Sequence, residues 1–133
     1  MTDQADLRQT VLYYWQMAKD SLESAQREFD AGATSFAVNR VYYAAFYAVE
    51  AALLERNISY SKHAGVRAAL HREFVKTGLV HREWGRFYDR VFENRQQGDY
   101  LPFVAFASKD VIDEIDNCEG FLYVMSQLIE SLK

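Results

Sequence analysis

The sequence predicts an all-α fold, an antiparallel bundle of about five helices, and three observations predict it. Apolar residues recur at alternating steps of three and four over most of the chain, the spacing that lines side chains along one face of a helix. The 133 residues contain a single proline, Pro102, and only six glycines, so long helices meet few interruptions. Half of the residues are hydrophobic, enough for one packed core, and residues 1–133 are read as a single domain.

In chain order, Leu7, Val11, Tyr14, Ala18, Leu22, Ala25 and Phe29 define a first helix running to about Asp30. Gly32 is placed as the left-handed residue beyond its end, and Thr34 or Ser35 as the cap of the next helix. That second helix, from about Phe36 to Arg56, carries a seam of small residues at Ala37, Val41, Ala44, Ala45, Ala48 and Ala52. Tyr42, Tyr43, Phe46 and Tyr47 make it apolar or aromatic nearly all round, which predicts burial on several sides or beneath a partner chain. Ser61 is placed as the cap of a third helix with His63, Val66, Leu70 and Phe74 on one face, ending at Thr77 and Gly78. A fourth helix, from about His81 to Gln97, turns Trp84, Phe87 and Val91 inward and the row Arg82, Arg86 and Arg90 outward. Gly98 is expected to stop it, leaving Asp99 to Pro102 as a connector. The last helix, from Ser108 or Lys109, repeats the pattern at Val111, Ile115, Cys118, Leu122, Met125, Ile129 and Leu132.

Charge is unevenly distributed. Net charge is −4, but residues 56–100 hold nine Lys/Arg against five Asp/Glu, together with all three histidines, between two acidic ends. If the chain binds a nucleotide or RNA, the middle segment is where it is expected, whereas broad, non-specific binding to a phosphate backbone, and DNA as a partner, are not expected. No glycine-rich phosphate loop, paired-cysteine site or His-Glu-x-x-His run is present, and no cofactor or metal is expected. His71 with Glu73 and His81 with Glu83 lack the spacing that puts two ligands on one helix face. Cys118 stands alone, the start carries Asp3 and Asp6 rather than a leader-like run, and no stretch is long and apolar enough to span a membrane. A cytoplasmic protein is expected.

Four blocks carry a family resemblance: Asn39 to Tyr47 (NRVYYAAFY), Ser61 to Val66 (SKHAGV), Phe74 to Gly78 (FVKTG) and Arg95 to Tyr100 (RQQGDY). In that order and spacing the chain resembles a HEPN-domain protein over residues 10 to 130. The resemblance implies a five-helix bundle that forms a homodimer and is often encoded beside a minimal nucleotidyltransferase, as the toxin half of a toxin–antitoxin pair. It also implies, in many members, a metal-independent ribonuclease whose Arg-x4–6-His pair lies just before the last helix. Here the arginine is Arg95, its polar follower is Gln96, and the histidine position holds Tyr100, with Asp99 adjacent. A phenol of ordinary pKa near 10 is a poor general base at neutral pH. A formal Arg-x6-His match, Arg56 to His63, lies between the second and third helices instead, and His63 is the imidazole that would have to approach Arg95 in space.

The candidate catalytic residues are thus Arg95, Asp99, Tyr100 and His63, and the candidate binding residues Arg40, Tyr43, Tyr47, Lys62 and Gln96. For the tyrosines, packing and base stacking both remain open; for Arg40, a ligand groove or a salt bridge to Glu50. Two functions stand side by side, ahead of a third reading as a purely structural helical dimer with no ligand. One is an RNA- or nucleotide-binding toxin-type protein with altered ribonuclease machinery. The other is a non-catalytic partner module of a nucleotidyltransferase, with Tyr100 as a nucleotidyl acceptor.

Overall fold

The computed structural model describes residues 3–100 and 106–133, apart from the side chains of residues 97–100. Five α-helices form the bundle: α1 (Gln4–Asp30), α2 (Thr34–Leu54), α3 (His63–Ala69), α4 (Arg82–Tyr100) and α5 (Ser108–Ser126). A π-helical turn, Leu70–Val75, continues α3, and a 3-10 turn, Glu130–Leu132, follows α5.

The first helix begins where a carboxylate can satisfy its open amides. Asp3 accepts a hydrogen bond from the Asp6 backbone N–H at 2.8 Å, and Asp6 adds negative charge to the first turn. Gly32 and Gly78 adopt φ of +81° and +83°, the left-handed conformation that ends a helix at low cost with glycine. Neither expected hydroxyl cap forms: Ala33 is the N-cap of α2 and Lys62 that of α3, both without a capping side-chain bond.

The second helix is the hub. It packs against α1, α3, α4 and α5, and Ala37, Ala44, Ala45, Ala48, Ala51 and Ala52 are fully buried along it. Its all-round apolar character, which the sequence left open to a partner chain, is thereby accommodated by this chain's own helices. Small side chains permit that crowding, because several helices approach one backbone closely. Around them sit Val11, Leu70, Phe74, Phe87, Phe121, Ile115 and Met125, each at 2 % exposure or less; burying a side chain of this kind contributes about 1.5–3 kcal/mol.

Three elements differ from the sequence reading. The third helix changes to a π-helical turn at Leu70 rather than running evenly to Thr77. The fourth passes through Gly98 and Asp99 to Tyr100, because a single helical glycine costs only about 1 kcal/mol and a helix with an apolar face to bury tolerates it. The last ends at Ser126, and Ile129, just ahead of the 3-10 turn, still reaches the core.

The fourth helix is seated by two slots. A Cβ at Gly120 would lie 2.7 Å from Trp84 Cη2, and one at Gly85 would lie 2.7 Å from His71 Cε1, so only glycine lets the indole and the imidazole sit there. His71 is also held by Asp89 of the same helix, Nε2 to Oδ1 at 3.0 Å, and Asp89 in turn accepts from Arg67 Nε at 2.8 Å. The row Arg82, Arg86 and Arg90 faces outward as expected, with Arg90 paired to Glu114 at 3.1 Å.

Candidate functional site

On α2, Arg40, Tyr43, Tyr47 and Glu50 follow one another at steps of three, four and three, so they share a face. Tyr42 sits beside that row and points inward, with no exposure. Its Oη lies 2.6 Å from His63 Nδ1, at the first turn of α3, and burial pushes its pKa up to about 12, so the phenol stays neutral. The His63 ring lies flat on Phe46, with centroids 4.3 Å apart and planes inclined by 8°.

Arg95 arrives at the same aromatic pair from α4. Its Cζ is 4.9 Å from the Tyr42 ring centroid and 5.8 Å from that of Tyr43, and Nη1 donates to Tyr43 Oη at 3.5 Å. A guanidinium over two electron-rich rings is held by the cation–π attraction, worth about 0.5–2 kcal/mol for such a contact. From the other side, Arg40 Cζ lies 5.0 Å from the Tyr43 ring, while its Nη2 and Nε donate to Asn39 Oδ1 at 2.6 and 3.0 Å. Two guanidinium groups and one imidazole therefore gather around Tyr42 and Tyr43. Partial burial, and then the positive charge of Arg95, hold the His63 pKa below its ordinary value of 6.5, which leaves the ring neutral at physiological pH.

The geometry shows where the residues singled out from the sequence lie. His63 and Arg95 do approach each other, through the rings of Tyr42 and Tyr43. Arg56 instead lies on the Phe74 ring, 4.9 Å from its centroid, so the formal Arg56-to-His63 match does not describe the pair that forms. Arg40 is bonded to Asn39 rather than to Glu50, because ten residues of helix place Arg40 and Glu50 about 15 Å apart along the axis. Tyr43 and Tyr47 are half-buried and belong to the cluster, their rings 6.0 Å apart. Lys62 and Gln96 are exposed. The backbone of Asp99 and Tyr100 lies in the last turn of α4; their side chains lie outside the described residues. Among the described residues no group of three or more His, Cys, Asp or Glu is placed to hold a metal ion, and no helix is long and apolar enough to cross a membrane.

Two residues that matter here were not singled out from the sequence for the site. For Tyr42 the sequence leaves packing and base stacking both open, and the candidate binding residues omit it. Glu50 entered only as an alternative partner for Arg40. It is half-buried, and among the described residues no hydrogen bond or ion pair engages it; desolvation pushes its pKa up to about 7. Since the folded value lies above the ordinary one of 4.5, the stability associated with the neutral carboxyl is complete below about pH 4.5 and is lost as pH rises through about 7. Glu50→Gln is therefore expected to stabilise the protein at pH 8 by about 1–2 kcal/mol, discounted for the solvent on one side of the group, and to have little effect at pH 4.5. Urea unfolding of both proteins at the two pH values measures this, and an equal change at both would contradict it.

Comparison with known proteins places the chain among related sequences. A profile of the HEPN domain matches residues 11–132. A UPF0332 protein of Thermotoga maritima is 46 % identical, across 95 % of this chain and 96 % of that protein. A Methanocaldococcus jannaschii protein named "Putative toxin MJ0605" is 32 % identical, across 96 % of this chain and 90 % of its own length. A second protein of that organism, "Putative toxin MJ0142", is 36 % identical over 62 % of this chain and 56 % of its own length.

Proposed function

The chain belongs to the HEPN domain family, and from that premise we propose that it is a toxin-type protein that binds RNA at the Tyr42–Tyr43 cluster and cleaves it without a metal. The observation that carries this reading is the convergence of Arg95 and His63 on one aromatic pair, a guanidinium 4.9 Å above the Tyr42 ring and an imidazole 2.6 Å from the Tyr42 hydroxyl. Names given to the Methanocaldococcus relatives support the toxin assignment.

The chemistry rests on the two groups. With its proton on Nδ1, His63 donates to Tyr42 Oη and keeps a lone pair on Nε2; the depressed pKa maintains that neutral form. Nε2 then takes the proton of a ribose 2′-hydroxyl as its oxygen bonds to the adjacent phosphorus. The bond from phosphorus to the 5′-oxygen breaks, solvent protonates the departing oxygen, and a 2′,3′-cyclic phosphate remains. Arg95 holds the phosphoryl oxygens through its planar fork as negative charge grows there, and Arg40 adds a second positive group. The imidazole thus comes from the start of α3, replacing the one that the family pattern would put at Tyr100.

We further propose that two copies associate so that their Arg95 side chains line a shared groove, and that an antitoxin-type partner, a minimal nucleotidyltransferase, controls the protein. Tyr100, in the usual histidine position, favours a second reading in which the domain is a non-catalytic partner that accepts a nucleotidyl group there. Incubation of the purified protein with single-stranded RNA in excess EDTA separates the two. Cleavage to cyclic-phosphate ends is expected, with His63→Gln reducing the rate at least about 100-fold. The acid limb of the rate profile is expected below pH 6.5, because the imidazole must be neutral to accept a proton. RNA that stays intact under these conditions refutes the ribonuclease reading. Light scattering is expected to give twice the 15.4 kDa chain mass, and a monomer mass would remove the shared groove.

A further inference from the structure

We propose that Tyr14, Tyr47 and Glu50 form a nucleobase subsite selective for guanine, one step along α2 from the arginines. The proposal rests on the reading that Arg95 and Arg40 hold a phosphate, and it adds which base the site takes.

The geometry runs in one direction along α2. Arg40 and Arg95 meet at Tyr43; Tyr47 is one turn further on, and Glu50 about one turn beyond that, about 10 Å from Tyr43 along the axis. The interval suits a mononucleotide, whose phosphate and base edge lie at opposite ends. Between the two ends the lining is aromatic. The Tyr47 ring lies 6.0 Å from Tyr43 and, inclined by only 21°, 6.3 Å from Tyr14 of α1; Tyr14 in turn lies 6.0 Å from Tyr13, which is 58 % exposed. Rings at the edge of a bundle, reached from solvent, offer π-faces on which any base can stack.

Selectivity comes from Glu50. Its negative charge raises the pKa of both Tyr14 and Tyr47, after the larger effect of their own burial, so the carboxylate stands close to those two phenols. It has no hydrogen-bond or ionic partner among the described residues, and its half-buried carboxylate still reaches solvent, so it stands open to a ligand. In a helix otherwise made of small and aromatic residues, a glutamine or leucine would cost less at this position. A ligand carrying N–H donors would supply the missing partners. Guanine has two such donors side by side, N1–H and the N2 amine, matching the two oxygens of a carboxylate; adenine presents a donor next to an acceptor, and only one of its contacts suits an ionised Glu50.

Binding of GMP, IMP, AMP and inorganic phosphate, measured by calorimetry at pH 8, tests the subsite without requiring any cleavage. The wild-type protein is expected to bind GMP at least about tenfold more tightly than AMP, with IMP, lacking the amine, between them. Glu50→Gln keeps the side-chain volume and is expected to bring GMP within about threefold of AMP, and Glu50→Asp, one methylene shorter, to give an intermediate preference. Arg95→Ala is expected to weaken all three nucleotides alike. Equal GMP and AMP affinities in the wild type, a preference that survives in Glu50→Gln, or no nucleotide binding at millimolar concentration each overturns the proposal. RNA cleavage without base preference would sink this subsite and leave the ribonuclease reading intact; a guanine preference in a protein that never cuts RNA would do the reverse.

Discussion

Arg95→Ala is expected to lower RNA cleavage by about 10²- to 10³-fold, the usual loss when one group that stabilises charge in a transition state is removed. The folded protein should survive the change. Arg95 is half-buried and contributes a cation–π contact to Tyr42 and Tyr43 and a long hydrogen bond to Tyr43, together worth about 1–2 kcal/mol. Arg95→Lys discriminates charge from shape. A lysine keeps the positive charge but loses the planar fork and its stacking surface, so only a small part of the rate is expected to return. Initial rates on a fluorescent RNA, with circular-dichroism melting of each variant, provide the comparison. A rate within threefold of wild type for Arg95→Ala would remove this residue from the chemistry.

Tyr42 gives the largest expected effect on stability. Its ring is fully buried and lies within about 6 Å of Tyr43, Phe46, Tyr88, Phe92 and His63. Truncation to alanine leaves a cavity at the junction of α2, α3 and α4 and is expected to cost about 3–5 kcal/mol. Tyr42→Phe isolates the hydroxyl: the packing stays, the hydrogen bond to His63 Nδ1 goes, and about 1 kcal/mol of stability goes with it. The more telling readout is kinetic. Without Tyr42 Oη the imidazole loses the partner that fixes its tautomer, so kcat is expected to fall at least about tenfold while KM changes little. A Phe variant with unchanged kcat would reduce Tyr42 to packing alone.

The fold was largely legible because each long helix buries a stripe, and the stripe writes its spacing into the sequence; Val11, Ala18 and Ala25 in α1 and Val111, Ile115 and Cys118 in α5 fall where the three-four steps place them. Backbone detail was less so. Nothing in Leu70 to Val75 announces the π-helical turn that forms there. The all-round apolar α2 is ambiguous in principle, because a central helix and a helix at a chain–chain contact have the same composition.

For the site, Arg95 and His63 could be named individually, yet their approach depends on how α3 and α4 cross α2, which no spacing along the chain encodes. Glu50 offered a signal that went unused. A lone carboxylate in a helix of alanines, valines and tyrosines is an expensive residue without a visible partner, and that expense was readable from residues 41–54 alone.

The indole slot over Gly120 has a consequence for how this protein tolerates change. Trp84 and Arg95 stand about three full turns apart on α4, so they project from nearly the same line along it. The slot works as a keyway that sets the rotational phase of the whole rod, and that phase is what aims the distant guanidinium. A one-residue insertion or deletion between the two would preserve every helical hydrogen bond yet swing the guanidinium by about 100° away from its rings. A change of length in this stretch therefore misdirects Arg95 even where every residue is kept, whereas substitution of the exposed Arg82 or Arg86 leaves that aim untouched.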